Sequence, residues 1–169
     1  LIVDDLSANR TFLVTLLGHH GHRMLEATNG SEALTSIQGE RPDLVITDVL
    51  MPVMDGYEFV RQLRLDPTTS QIPVVFSTAH YGEREARMLA LSIGVSAVLT
   101  KPVESAEVLR VVNLVLSCES QTRPSSDASG LTTEFHSEHL RLLTDKLSDK
   151  TGDLRTANAR LRALINIGL

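Results

Sequence analysis

The chain has 169 residues, 42% hydrophobic and 22% charged, with a formal net charge of −5. These values suit one globular domain plus an extra element; they exclude a disordered chain and argue against nucleic acid as the main partner. No apolar stretch reaches about 18 residues, so no membrane span is expected, and the single Cys118 rules out an internal disulfide and suits a reducing, cytoplasmic compartment.

Taken in order, Leu1–Val3 reads as a buried strand closed by Asp4 and Asp5. The chain opens inside this strand with no Met and no signal segment, and so reads as an excised piece of a larger protein. Ser7 is placed to N-cap a helix carrying Phe12, Leu13, Leu16 and Leu17. His19, His20 and His22 fall at its end, where they meet the helix dipole favourably, and no carboxylate or Cys is spaced with them as a metal set. Arg23–Glu26 reads as the second strand, and Ser31–Gln38, after Asn29-Gly30, as a helix with Ala33, Leu34 and Ile37 on one side. Leu44–Thr47 is a strand closed by Asp48. Tyr57–Leu65 follows Asp55-Gly56 as a helix and ends before Asp66-Pro67. Val74–Ser77 is a strand closed by Thr78. Glu83–Ile93 reads as a helix ending at Gly94, a natural C-cap. Ala97–Leu99 is the last strand, followed by Thr100 and Lys101. Glu104–Leu116 then carries Val108, Val111, Val112 and Val115 towards the sheet, and Cys118 reads as packing. The strands are short, apolar and rich in β-branched residues, as expected where both faces are buried. Five strands alternating with five helices give an α/β, doubly wound parallel sheet.

The segment 1–118 forms this domain, and the polar run 119–130 reads as a linker. Helical patterning returns over 131–169, with Leu140, Leu143, Leu147, Leu154, Ala157, Leu161 and Leu164 at 3–4 spacing and Lys150 interrupting the register. Such a seam suits a two-stranded coiled coil joining two chains into a homodimer, and about 35 helical residues would extend about 50 Å. Gly152 weakens its middle by about 1 kcal/mol relative to Ala. His136 and His139 lie on this helix as surface histidines. The stretch Leu161–Leu169 reads as the lead-in to a sensory, kinase or cyclase module outside this fragment. Mixed charge without a helix-turn-helix argues against direct DNA binding.

In a parallel sheet the C-terminal strand ends share one edge, where α/β folds place their sites. Asp4, Asp5 and Asp48 at such ends predict an acidic pocket, with Lys101 beside it. Two carboxylates about 4 Å apart repel by roughly 4 kcal/mol at an effective dielectric near 20, so protons or a divalent cation must neutralise the cluster. Oxygen-only donors favour Mg²⁺ or Mn²⁺ over Zn²⁺. A metal, the Thr78 hydroxyl, the Lys101 ammonium and a spare carboxylate make a phosphoryl-accepting site.

Asp4-Asp5, the run Asp48-Val49-Leu50-Met51-Pro52-Val53-Met54-Asp55-Gly56, Ser77-Thr78-Ala79 and Thr100-Lys101-Pro102 together resemble the receiver domain of two-component response regulators, over residues 1–118. The resemblance implies a flavodoxin-like five-stranded sheet in the order 2-1-3-4-5. It implies that Asp48 is the phosphoacceptor, fed by a sensor histidine kinase or phosphotransfer protein. Asp5 and Asp48 would bind Mg²⁺ directly, Asp4 through water, and Leu50 by its backbone carbonyl alone. Thr78 and Lys101 would each donate to a phosphoryl oxygen, and the peptide before Pro102 would be cis, as in many members. Such a domain catalyses only its own phosphorylation and dephosphorylation. Its charged state would repack the face made by the fourth helix, fifth strand and fifth helix. Leu50 and His80 would flank the path of the attacking water, and a bulky Leu50 implies a long-lived phospho-aspartate. The chain departs from the family pattern at Val98, where a Tyr, Phe or His ring usually swings inward.

Three rival functions follow from the same pattern. A flavin mononucleotide carrier would need a hydroxyl-rich phosphate loop where Asp4-Asp5 stands. A haloacid-type phosphatase would place Asp-x-Asp on the first strand, whereas here the nucleophile ends the third. A pseudo-receiver, acting by protein interaction without phosphorylation, is the runner-up on account of Val98.

Overall fold

Short apolar segments bounded by turn residues pair side by side, because β-branched side chains fit a sheet buried on both faces. The computed structural model describes residues 1–79 and 93–118. In order they form β1 (Ile2–Val3), α1 (Ser7–His19), β2 (Glu26–Ala27), α2 (Gly30–Gly39), β3 (Val45–Thr47), α3 (Gly56–Leu65), β4 (Val74–Thr78), β5 (Ala97–Thr100) and α4 (Ser105–Cys118). The strands make one parallel sheet in the order β2-β1-β3-β4-β5, the flavodoxin-like order expected.

Register sets the functional edge. Val3 pairs with Thr47, so Asp4 and Asp48 leave adjacent strands at the same level. Thr78 pairs with Thr100, which puts Lys101 one residue beyond that end. Alternate side chains point to opposite faces. Ile2, Ile46, Val75 and Leu99 pack with Leu13 and Leu17 of α1 and with Val108, Val111, Val112 and Val115 of α4. On the opposite face Phe76 meets Tyr57 of α3 edge-on, ring centroids 5.3 Å apart. Each such buried side chain contributes about 1.5–3 kcal/mol.

The helix starts follow local chemistry. The Asn29 side chain accepts from the Glu32 amide at 3.0 Å, while Glu32 reaches back to the Thr28 amide at 2.7 Å, a reciprocal cap for α2. Asp55 caps α3 by accepting from the Glu58 amide at 2.9 Å.

Several expectations are corrected. Ser7 is the first residue of α1 and not its cap; Leu6 holds that place without a side-chain bond, and the Asp4 carboxylate accepts the Leu6 amide instead. Phe12, one of the apolar residues carried by this helix, is 41% exposed. It lines a groove of about 490 Å³ with Asn9, Leu13, Pro102 and Val103, beside Lys101. The second strand is Glu26–Ala27 and not Arg23–Glu26. Among the described residues it is an edge strand paired only with β1, and its ladder starts where Ile2 N donates to Leu25 O at 2.8 Å; Arg23 instead pairs with Glu40 at 2.7 Å. His20 Nδ1 lies 2.8 Å from the Leu16 carbonyl, at the end of α1 as expected. The expected helix at Glu83–Ile93 (except for Ile93 itself), His80, the linker 119–130 and the coiled coil 131–169 lie outside the described residues.

Candidate functional site

The sheet edge gathers the residues that carry chemistry. Asp48 N donates to Val3 O at 2.7 Å, and Lys101 N donates to Thr78 O at 2.8 Å, so backbone bonds fix where both side chains emerge. Asp4, Asp5 and Asp48 each offer a carboxylate oxygen within 4.8 Å of the others. Lys101 Nζ bridges two of them, at 2.7 Å from Asp4 Oδ2 and 3.2 Å from Asp48 Oδ1. The Lys101–Pro102 peptide is cis. Thr78 and Ser77, both buried, end β4 on the same edge. Leu50, two residues after Asp48, is buried as well.

The three acids are not equivalent. Asp4 is 1% exposed and accepts from the Leu6 amide, from Asn9 Nδ2 on both oxygens (3.1 and 3.0 Å) and from Lys101. Asp5 is half-buried, and no hydrogen bond or ion pair engages its carboxylate among the described residues. The cluster suits a hard cation: Mg²⁺ takes oxygen ligands at about 2.1 Å, so its octahedron is about 4.2 Å across. Oxygens already within 4.8 Å of one another need only a small side-chain shift to meet it.

The loop after Asp48 is built around two backbone requirements. Gly56 N donates to Val49 O at 2.7 Å, and a Cβ on Gly56 would strike the Asp48 carbonyl oxygen and lie 3.0 Å from Val49 Cα. Val53 sits at φ 69°, with Met54 N donating to Pro52 O at 2.8 Å around it. This γ-turn conformation is rare for a β-branched residue.

Sequence reasoning therefore places Asp4, Asp5, Asp48 and Lys101 correctly in one pocket, with Thr78 on the same edge. It misses Asn9 and Arg10. Arg10 Nη1 donates to the Asp4 carbonyl at 2.7 Å and its Nε lies 3.5 Å from Glu26 Oε2. The available signal is spacing, since polar residues on the first turn of the helix that follows an acid pair can fold back onto it.

The similarities to known proteins agree with this geometry. The family model of the response regulator receiver domain matches residues 1–113. Protein PilH of Pseudomonas aeruginosa is 37% identical over 117 residues, which cover 69% of this chain and 96% of that protein. Response regulator PleD of Caulobacter vibrioides is 41% identical over 104 residues, 62% of this chain but only 23% of the much longer PleD. Among solved structures, chemotaxis protein CheY4 of Vibrio cholerae superposes with a TM-score of 0.64 at 31% identity, covering 68% of this chain and 94% of that one. The signal receiver domain of a signal transduction histidine kinase from Syntrophus aciditrophicus gives 0.65 at 33% identity, covering 75% and 96%. With the family model spanning residues 1–113 of 169, this chain belongs to the response regulator receiver domain family.

Proposed function

We propose that this chain is the phosphoacceptor of a two-component phosphorelay, with Asp48 as the residue modified. Receiver domains bind Mg²⁺ at an acidic pocket, and they interact with histidine kinases or phosphotransfer proteins. The observation that carries the reading is the lysine shared between Asp4 and Asp48 in a pocket of three carboxylates. Asp5, Asp48 and the Leu50 carbonyl would hold the Mg²⁺ (or Mn²⁺), with Asp4 acting through water. Bound there, the ion supplies positive charge against the acids and the incoming phosphoryl oxygens.

In the step itself, a carboxylate oxygen of Asp48 attacks phosphorus of a phosphohistidine. The P–N bond breaks as the P–O bond forms, and the imidazole nitrogen leaves with its electron pair and takes up a proton. Lys101 moves from the acids to one phosphoryl oxygen, and the Thr78 hydroxyl donates to another. A bulky, buried Leu50 hinders the water that would hydrolyse the acyl phosphate, so the modified state is long-lived. Loss of the phosphoryl group within seconds from the isolated chain would overturn that point. Residues 131–169 pair two chains as a coiled coil and pass the change to an effector outside this chain, in the cytoplasm. No helix among the described residues is long and apolar enough to cross a membrane.

The test is acetyl phosphate with Mg²⁺, read by intact-protein mass. One phosphoryl group should attach, and none should attach to Asp48→Asn or in EDTA. The rival reading, a phosphorylation-independent interaction module, is favoured by Val98 in place of the family's switching ring. Beryllofluoride separates the two, since a phosphoacceptor binds it only with Mg²⁺ and a pseudo-receiver does not bind it.

A further inference from the structure

An ionised carboxylate accepts along about four lone-pair directions, and in Asp4 three donors engage both oxygens, with the Asn9 amide shared between them. Oδ1 receives the Leu6 amide at 2.9 Å and Asn9 Nδ2 at 3.1 Å; Oδ2 receives Asn9 Nδ2 at 3.0 Å and Lys101 Nζ at 2.7 Å. The three donors differ in kind. The Leu6 amide is fixed by the turn into α1. Lys101 also contacts Asp48 at 3.2 Å and is the partner free to exchange. Asn9 is a neutral amide in the first turn of α1, and among the described residues its side chain bonds to Asp4 alone. Asp5, one residue along, has no such partner among the described residues.

We propose that Asn9 is a positioning residue. By engaging both oxygens of Asp4 it withholds that carboxylate from direct contact with a divalent cation, leaves Asp5 and Asp48 to make that contact, and keeps Asp4 as the seat of Lys101 until a phosphoryl group arrives. The inference rests on the phosphoacceptor reading and adds to it what makes two adjacent aspartates unequal.

The sign of the effect separates this role from the ordinary one. A side chain that orients a metal-bound ligand costs about 10- to 100-fold in metal affinity when removed. A side chain that holds an acid away from the metal does the reverse, since its removal frees anionic oxygen lone pairs beside the cation. The same removal lets the cation take the carboxylate that seats Lys101, so at saturating Mg²⁺ the lysine is displaced from its place beside Asp48 and meets the phosphoryl group less readily.

The experiment uses the whole chain as wild type, Asn9→Ala and Asn9→Leu. Mg²⁺ is titrated calorimetrically into metal-free protein, and phosphorylation by acetyl phosphate is timed at saturating Mg²⁺. Both variants should bind Mg²⁺ several-fold more tightly while their phosphorylation slows several-fold. A merely structural loss would weaken both together. Asp5→Asn should cost less Mg²⁺ affinity in the Asn9→Ala background than in wild type, because Asp4 then substitutes as ligand. Unchanged or weaker Mg²⁺ binding by both Asn9 variants, with a competent wild type, overturns the Asn9 role alone. A wild type that neither binds Mg²⁺ nor takes the phosphoryl group overturns the receiver reading and this inference with it.

Discussion

Replacing Lys101 with Met keeps the length of the side chain and removes its charge. Lys101 Nζ lies 2.7 Å from Asp4 and 3.2 Å from Asp48, with side-chain exposures of 19%, 2% and 12% respectively. At an effective dielectric near 20 these contacts are worth about 6 and about 5 kcal/mol of Coulomb attraction. Most of that is recovered in the variant as water enters and the acids relax. Removing one partner of a buried pair costs about 3–5 kcal/mol, and the partly open pocket puts this case near 3. With a urea dependence of about 1–1.5 kcal/mol per molar, the unfolding midpoint in EDTA should fall by about 2–3 M. Mg²⁺ should restore much of the loss, because a ligand at 100 times its dissociation constant adds about 2.7 kcal/mol and no longer competes with an ammonium. Urea titrations of both proteins with EDTA and with Mg²⁺ provide the check. A loss below about 1 kcal/mol in EDTA, or a gap between the proteins that Mg²⁺ does not narrow, would refute the claim that Lys101 is the resting counter-charge of the acids.

Four further outcomes follow from the geometry. Gly56→Ala should destabilise the fold by about 1–3 kcal/mol and slow phosphorylation, since the added methyl displaces the Asp48 carbonyl; urea unfolding and intact-mass kinetics read both. Val53→Gly should raise stability by about 1 kcal/mol, because φ 69° is strained for valine and its side chain is 86% exposed, leaving no packing to lose. Arg64 Nη1 donates to the Ser70 and Ile72 carbonyls and Nη2 to the Gly94 carbonyl, so Arg64→Ala should cost about 2–3 kcal/mol and Arg64→Lys should not restore it, as an ammonium cannot fork across these acceptors. Hydrogen bonds from the Thr28 hydroxyl and amide hold the Glu32 carboxyl below its usual 4.5, so its contribution is complete above pH 4.5 and fades as pH falls through the lowered value; Glu32→Gln should flatten thermal stability across that acid range.

What the sequence reveals about this fold, and what it hides, follows from the range of each interaction. The sheet is legible because strands sealed on both faces must be largely apolar along their length, as Leu44-Val45-Ile46 and Val74-Val75-Phe76 are, and because polar residues such as Asp48 and Thr78 close those runs at their ends. The second strand is not, because an edge position with one partner lets Glu26 face solvent, which erases the pattern and leaves Met24 and Leu25 as a decoy. The acids are legible as a group, since parallel register alone brings strand ends together. Their inequality is legible only through the family resemblance and not from register. It depends on Asn9 folding back one helical turn and on Lys101 arriving from a residue 97 positions away, and a string of letters encodes neither distance. The difference between Asp4 and Asp5 is a matter of which lone pairs are already occupied. A carboxylate engaged by neutral and cationic donors orients a lysine, and on the role proposed for Asn9 its neighbour, with no such donors among the described residues, is the one left to a cation.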